Sequence, residues 1–193
     1  ASITKLMTAV TALEKIGLEG QVQVGQNAVN TEGIAGFLEV GKSYTVHQLL
    51  EHLLRSSSND AAVALAEHYG YDNFISAMNT KAQAIGMYGT KFSDPSGLSV
   101  LNQSTANDLE KLTFYIFNRY PEVFLLTRIK DGNIHPFVDR LDFLGGKTGF
   151  IDEANGNLLS LFNIFGRPIL IVVLGSEDRA KDTQTLYDRL RSR

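Results

Sequence analysis

Three short stretches carry residue types that could do chemistry together. Ser2 and Lys5 stand three apart at the start of an apolar, periodic run. On a helix, residues three apart share a face, one turn from each other. A serine hydroxyl attacks a carbonyl well only when a base takes its proton. A lysine amine with its ordinary pKa of about 10.4 is protonated at neutral pH and cannot be that base. Burial or a second cation would lower that pKa, so the pair requires a closed pocket and another positive group. Taken alone, Ser-x-x-Lys reads equally well as an ordinary helical turn.

The second stretch is Ser57-Ser58-Asn59, between two predicted helices. Ser, Asn and Asp are what a helix-to-helix turn uses. On such a turn the Ser57 hydroxyl could pass a proton to a leaving amine, and the Asn59 amide could hold a substrate carbonyl. The third is Gly145-Gly146-Lys147-Thr148-Gly149, running into a predicted strand. Glycines weaken a strand interior but make sense where a ligand must approach the backbone. Alternation puts Lys147 and Gly149 on one face, leaving space beside the ammonium. Lys147 could bind a substrate carboxylate and also depress the pKa of Lys5.

The elements that must position these groups follow from periodicity. Ile3, Leu6, Val10 and Leu13 predict a helix over 2–16, ended by Gly17. Alternation predicts a strand over 21–29, and 33–41 reads as loop with a brief extended piece. Thr45 and Gln48 form a capping-box pattern opening a helix over 46–54. Helices follow over 60–70, capped by Asn59 or Asp60, over 72–86, and over 105–118 after Ser104 or Thr105. The cluster DPSGLS at 94–99 is a turn, in which Asp94 fixes the backbone. Strands are predicted over 143–150, 156–165 and 168–175, then a charged helix over 177–191. This is an α+β chain whose helical middle is flanked by α/β material. It reads as one domain over 1–193, with an α/β lobe from 1–44 and 141–193 and a mainly helical lobe over 45–140.

Bulk properties exclude several classes. The chain has 193 residues, 44% of them hydrophobic, which is enough for a sizeable core. Its net charge of -3 and the lack of a basic stripe argue against a nucleic-acid partner. No stretch approaches the ~20 apolar residues of a membrane span, so membrane association is not visible in this chain. There is no cysteine. His47, His52, His68 and His135 are scattered, with no metal-pair spacing. Asp152-Glu153 reads as a solvated hairpin, and Arg179 and Arg189 as surface charges.

Ser-x-x-Lys, then Ser-x-Asn, then Lys-Thr-Gly, in this order and on these elements, is a far stronger signal than any one of them. With these motifs the chain resembles the penicillin-recognising serine enzymes. Within them it is similar to the D-alanyl-D-alanine carboxypeptidase family, the low-molecular-weight penicillin-binding proteins of serine peptidase family S11. The supporting phrases are ASITKLMTA, SSSNDAAVALAEH, DPSGLS with the following STANDL, GGKTGF and IVVLGS, spread from residue 1 to residue 176.

The resemblance implies a β-lactamase/DD-peptidase-like fold: an antiparallel sheet flanked by helices, with an all-helical lobe inserted in the chain. It implies a serine-type D-Ala-D-Ala carboxypeptidase acting on peptidoglycan stem peptides. Ser2 would attack the carbonyl between two D-alanines and Lys5 would take the proton. The backbone N–H groups of Ser2 and Phe150 would form the oxyanion hole. Ser57 would protonate the leaving D-alanine and Asn59 would orient the substrate. Lys147, Thr148 and Gly149 line the carboxylate side. β-Lactams would trap Ser2 as an ester, with no metal or organic cofactor. The family also implies a place outside the cytoplasmic membrane, in the periplasm or on the outer face.

A DD-endopeptidase cutting peptide crosslinks uses the same motifs. A catalytically weak penicillin- or peptidoglycan-binding fragment is a further alternative, whereas a catalytically silent binding module is disfavoured by the intact motifs. A class A β-lactamase needs Ser-Asp-Asn and a glutamate followed four residues on by asparagine. Here the middle residue is Ser58, and Glu67, Glu110 and Glu122 are followed by Tyr71, Phe114 and Leu126. An N-terminal-nucleophile hydrolase would need Ser2 to be first and leaves Lys147 unexplained. The family's two N-terminal sheet strands are expected to be missing here, and a signal peptide with them, as in a fragment of a longer precursor. The stretch between Thr127 and Gly145 reads as short for the family, and the C-terminal β-rich domain and amphipathic membrane anchor common in the carboxypeptidases are expected to be missing too.

Overall fold

A computed structural model describes residues 1–33 and 38–192. The chain opens on a 3-10 turn, Ser2–Thr4, that runs directly into helix α1, Lys5–Lys15. The stripe Ile3, Leu6, Met7 and Val10 is buried. Gly17, at φ +88°, closes the helix with its N–H on the Ala12 carbonyl.

The strand expected over 21–29 is cut short. Strand β1 is only Gln21–Gln23, and helix α2, Gln26–Val29, follows Gly25. Val22 and Val24 alternate inward, but beyond Gly25 the next buried residue is Ala28, four on from Val24 and so at helical spacing. Strand β2, Ser43–Thr45, pairs antiparallel with β1, Gln21 opposite Thr45. The loop with a brief extended piece expected over 33–41 falls partly on residues 34–37, outside the described residues.

Helix α3, Val46–Arg55, carries the capping box read from Thr45 and Gln48. Its Leu49, Leu50 and Leu53 are fully buried, each burial contributing roughly 1.5–3 kcal/mol. Helix α4, Asn59–Tyr69, is capped by Ser58, whose hydroxyl accepts from the Ala61 N–H at 3.0 Å. This corrects the expected cap, Asn59 or Asp60: both lie inside the helix. Helices α5, Tyr71–Ala84, and α6, Ala106–Arg119, follow, the latter capped by Thr105. A further helix, α7, Pro121–Leu126, was not expected; its proline occupies the first turn, where no N–H is needed.

Strands β3, Phe143–Ile151, β4, Asn155–Ile164, and β5, Arg167–Ser176, form an antiparallel sheet in that order. Lys147 lies opposite Leu159, and Leu159 opposite Val172. A 3-10 turn, Asp152–Ala154, links β3 to β4 with Asp152 and Glu153 exposed. Helix α8, Arg179–Arg191, closes the described chain. One core joins α1, α3, α4, α5 and α6 to the inner face of β4 through Leu159 and Leu161. A smaller cluster of Phe143, Leu158, Phe162 and Tyr187 lies between the sheet and α8. The architecture is α+β, as expected. Among the described residues no helix is long and apolar enough to cross a membrane.

Candidate active site

The site forms where the 3-10 turn, the α3–α4 junction and β3 converge. Lys5, the first residue of α1, is completely buried. Its Nζ lies 3.0 Å from Ser2 Oγ, 2.7 Å from Asn59 Oδ1 and 2.6 Å from the Ser96 carbonyl. Burial brings its pKa down to about 7, against the opposing pull of Asp94 and Asp60. The sequence points to a second cation as a cause of this lowering. Burial is what lowers the Lys5 pKa, and the repulsion between the two lysines is felt at Lys147 instead.

Lys147 is also buried, and its Nζ donates to Ser57 Oγ at 2.8 Å and to the Thr148 carbonyl at 3.2 Å. Its pKa is held well below the ordinary lysine value, first by burial and then by the charges of Lys5 and Arg179. The two lysines thus each hold one serine. Ser57 adopts φ +63°, a left-handed backbone that is uncommon for a residue other than glycine. That conformation lets the chain turn sharply between α3 and α4 and keeps the Ser57 hydroxyl on Lys147.

Asn59 is engaged through both amide atoms. Oδ1 accepts from Lys5, and Nδ2 donates to the Glu32 carbonyl at 2.8 Å. Gly33 packs over that amide: at φ +106°, a Cβ there would fall 2.4 Å from Asn59 Nδ2. The structure therefore holds these residues in two hydrogen-bonded groups, Ser2–Lys5–Asn59 and Ser57–Lys147, with Thr148, Gly149 and Phe150 continuing along β3 from Lys147. Thr148 is buried, while Phe150 is 57% exposed.

Several supporting residues escaped sequence reading. Asp94 holds its turn as expected, Oδ1 accepting from the Ser96 N–H, the Ser96 hydroxyl and the Gly97 N–H, each at 2.7 Å. The same turn delivers the Ser96 carbonyl to Lys5. Asn102 ties this loop to the Ser2–Thr4 turn: Oδ1 accepts from the Ser93 N–H at 2.7 Å and Nδ2 donates to Thr4 Oγ1 at 3.1 Å. Arg179, read as a surface charge, is half-buried, and its Nη1 donates to the Gly149 carbonyl at 2.5 Å. An arginine at the start of a charged helix carries no sequence mark of that role. His135 is core, 4% exposed and stacked on Phe143 with ring centroids 4.4 Å apart.

Solved structures share this fold. The D-alanyl-D-alanine carboxypeptidase from Mycobacterium tuberculosis H37Rv superposes with a TM-score of 0.87 at 29% identity, over 97% of this chain and 80% of that one. Penicillin-binding protein D2 from Listeria monocytogenes, in its cefotaxime-bound form, gives a TM-score of 0.83 at 26% identity, over 97% and 85%. These are penicillin-binding DD-peptidase folds. The family model for D-alanyl-D-alanine carboxypeptidases, peptidase family S11, matches residues 1–178. The chain belongs to that family. It is also 33% identical over 194 aligned positions to a D-alanyl-D-alanine endopeptidase of Escherichia coli K12, covering 90% of this chain but only 62% of that relative's length.

Proposed function

We propose that this chain carries the acyl-serine site of a serine-type D-Ala-D-Ala carboxypeptidase acting on peptidoglycan stem peptides outside the cytoplasmic membrane. The observation that carries the proposal is Lys5 Nζ, buried and 3.0 Å from Ser2 Oγ, with a pKa brought down to about 7. Near neutral pH a large fraction of Lys5 is unprotonated. The 3.0 Å contact can then run from the Ser2 O–H to the amine lone pair.

Ser2 Oγ bonds to the carbonyl carbon between the two D-alanines as Lys5 accepts the serine proton. The oxyanion lies on the N–H groups of Ser2 and Phe150; donors of this kind contribute roughly 2.7–4 kcal/mol each. The C–N bond breaks as Ser57, held by Lys147, passes a proton to the leaving D-alanine amine. Lys147, Thr148 and Arg179 face the terminal carboxylate. Asn59 orients the peptide and keeps Lys5 in place. Water then cleaves the ester, and a β-lactam in place of the peptide leaves Ser2 acylated. Residues 1–193 act as a single domain, with an α/β lobe from 1–44 and 141–193 against the helical lobe 45–140.

The test is labelling by a fluorescent penicillin of this chain and of Ser2→Ala, with mass spectrometry of the adduct. An adduct on Ser2 that vanishes in the variant supports the reading; a folded chain with no adduct rejects it. The endopeptidase relative at 33% identity favours a second reading, cleavage of D-Ala crosslinks. Release of D-alanine from a linear pentapeptide, against release of monomers from a crosslinked dimer, separates the two.

A further inference from the structure

The stretch between Thr127 and Gly145 does more than connect α7 to β3. It folds back so that one end grips the last residue of α3 and the other grips β3 just before Lys147. At the first end, Arg55 Nε donates to the Asp131 carbonyl at 2.7 Å and Nη2 pairs with Asp131 Oδ2 at 2.7 Å. The Arg55 carbonyl in turn accepts from the Ile134 N–H at 3.2 Å. Arg55 is two residues before Ser57.

At the second end, Thr127 is buried, and its Oγ1 accepts from the Gly146 N–H at 3.0 Å while donating to the Phe124 carbonyl at 2.8 Å. Gly146 is the residue before Lys147. The two ends are joined by Asn133. Its Oδ1 accepts from the His135 N–H at 2.9 Å, and its Nδ2 donates to the carbonyls of Thr127 at 2.8 Å and Ile129 at 2.9 Å.

His135 fills the space beneath the strand. Its Nδ1 accepts from the Phe137 N–H at 3.3 Å, which leaves Nε2–H to face the Leu159 carbonyl and Ser160 Oγ, each at 3.3 Å. The fit admits no side chain on the strand. A Cβ at Gly146 would fall 2.2 Å from the Leu159 carbonyl oxygen and 2.6 Å from His135 Nε2, and one at Gly145 would fall 2.7 Å from Thr127 Oγ1.

These contacts form a closed bracket whose last link is the 2.8 Å hydrogen bond from Lys147 to Ser57. That link needs holding. Lys147 is buried and repelled by Lys5 and Arg179, and Ser57 stands in a left-handed backbone. One hydrogen bond resists these costs, and a small movement of α3 or β3 would lengthen it beyond reach.

We propose that Thr127, Asn133 and His135 are positioning residues of the site. They form a strap that ties the end of α3 to the start of β3 and so keeps Lys147 on Ser57. The geometric claim stands on the contacts above; its kinetic consequence rests on the peptidase reading.

The experiment compares Thr127→Val, which keeps the shape but removes the hydroxyl, with Thr127→Ser, which keeps the hydroxyl. For each, a crystal structure is solved, kcat and KM are measured on a D-Ala-D-Ala peptide, and penicillin labelling is scored. In Thr127→Val the Lys147–Ser57 separation should open beyond hydrogen-bond reach, about 3.5 Å. Its kcat should fall tenfold or more with KM within twofold, and Thr127→Ser should recover most of the rate. An unchanged separation, or a rate loss equal only to the unfolded fraction, overturns the strap. Should Thr127→Val not fold, Asn133→Asp replaces it, keeping the acceptor for His135 and losing both donors. If the wild-type chain takes no penicillin at Ser2, the peptidase reading fails, and the Lys147–Ser57 separation alone decides the strap.

Discussion

Gly149 on β3 is packed directly on the backbone of Ser2. A Cβ at position 149 would stand 3.1 Å from the Ser2 nitrogen and 3.2 Å from that of Ile3. The Lys-Thr-Gly glycine thus lets the strand approach the Ser2–Thr4 turn backbone to backbone. Gly149→Ala must push the two apart by a few tenths of an ångström. Misplacement of reacting groups by about 1 Å lowers rates by ~10²-fold, so a displacement of this size should slow penicillin acylation about tenfold. The melting temperature should change little, because the strand keeps its pairing with β4. An acylation rate within twofold of wild type would show that this contact is not critical.

Lys5 sets the expected pH dependence. In the proposed mechanism the neutral amine is the active form, and burial brings its pKa down to about 7. Below that value the second-order rate of penicillin acylation should fall about tenfold per pH unit; above it the rate should level off. Lys5→Arg keeps the charge but cannot lose its proton near neutrality, so it should show no acylation at any pH from 5 to about 10. A stopped-flow pH profile of both proteins checks this. A flat wild-type profile would remove Lys5 as the base.

Asp94 acts on the same profile from a distance. Its charge favours the protonated form of Lys5, and its turn presents the Ser96 carbonyl to that lysine. In Asp94→Asn the charge is gone and Oδ1 can still accept from Ser96 and Gly97, while the acceptor for the Ser99 N–H is lost. The midpoint of the acylation profile should therefore move below about 7, because the ammonium loses an attractive partner. Asp94→Ala should also lose the turn, destabilising the protein by ~2–3 kcal/mol, as when buried donors to a charged group are left unmet. An upward shift in Asp94→Asn would contradict this assignment.

The three motifs were legible because their chemistry needs particular side chains in a particular chain order. Ser2, Lys5, Ser57, Asn59 and Lys147 converge as that order implies. What escaped were contacts made through backbone atoms, which any residue type supplies. The Ser96 carbonyl on Lys5 and the Gly149 carbonyl on Arg179 leave no trace in composition or periodicity. Arg179 was read as solvated because it sits on a charged helix at the end of the chain. The helix boundaries that failed did so locally. Ser58 outcompeted Asn59 and Asp60 as cap because those two side chains are drawn into the site and the turn. The strand predicted over 21–29 broke at Gly25, where alternation gives way to helical spacing. The left-handed Ser57 is the kind of strained position that local propensity does not predict.

His135 should govern part of the acid sensitivity. Burial brings its pKa down to about 3, and the charges of Lys147 and Arg179 act in the same direction. The unfolded chain protonates this histidine near pH 6.5, so below that pH the unfolded state binds more protons than the folded one. Stability should therefore fall as pH drops from about 6.5 towards 3, by on the order of 3 kcal/mol by pH 4. His135→Phe removes the titrating group and should flatten this part of the curve. The check is the change in unfolding free energy between pH 7 and pH 4 in each protein. Equal slopes would show that the carboxylates carry the acid response.

Ser57 allows strain and chemistry to be separated. Its φ of +63° disfavours any side chain, and the left-handed conformation costs roughly 1–2 kcal/mol outside glycine. Ser57→Ala and Ser57→Gly both remove the hydroxyl that accepts from Lys147. If that hydroxyl relays the proton to the leaving amine, both variants should lose ~10²–10³-fold in kcat on a D-Ala-D-Ala peptide. They should differ in stability: glycine accepts the backbone without strain, so Ser57→Gly should be more stable than Ser57→Ala by about 1 kcal/mol. Urea unfolding and steady-state kinetics on the two proteins read the effects independently. A Ser57→Gly protein that retained activity would show the relay is supplied elsewhere. A pair equal in stability would show that the turn relaxes once Lys147 lets go.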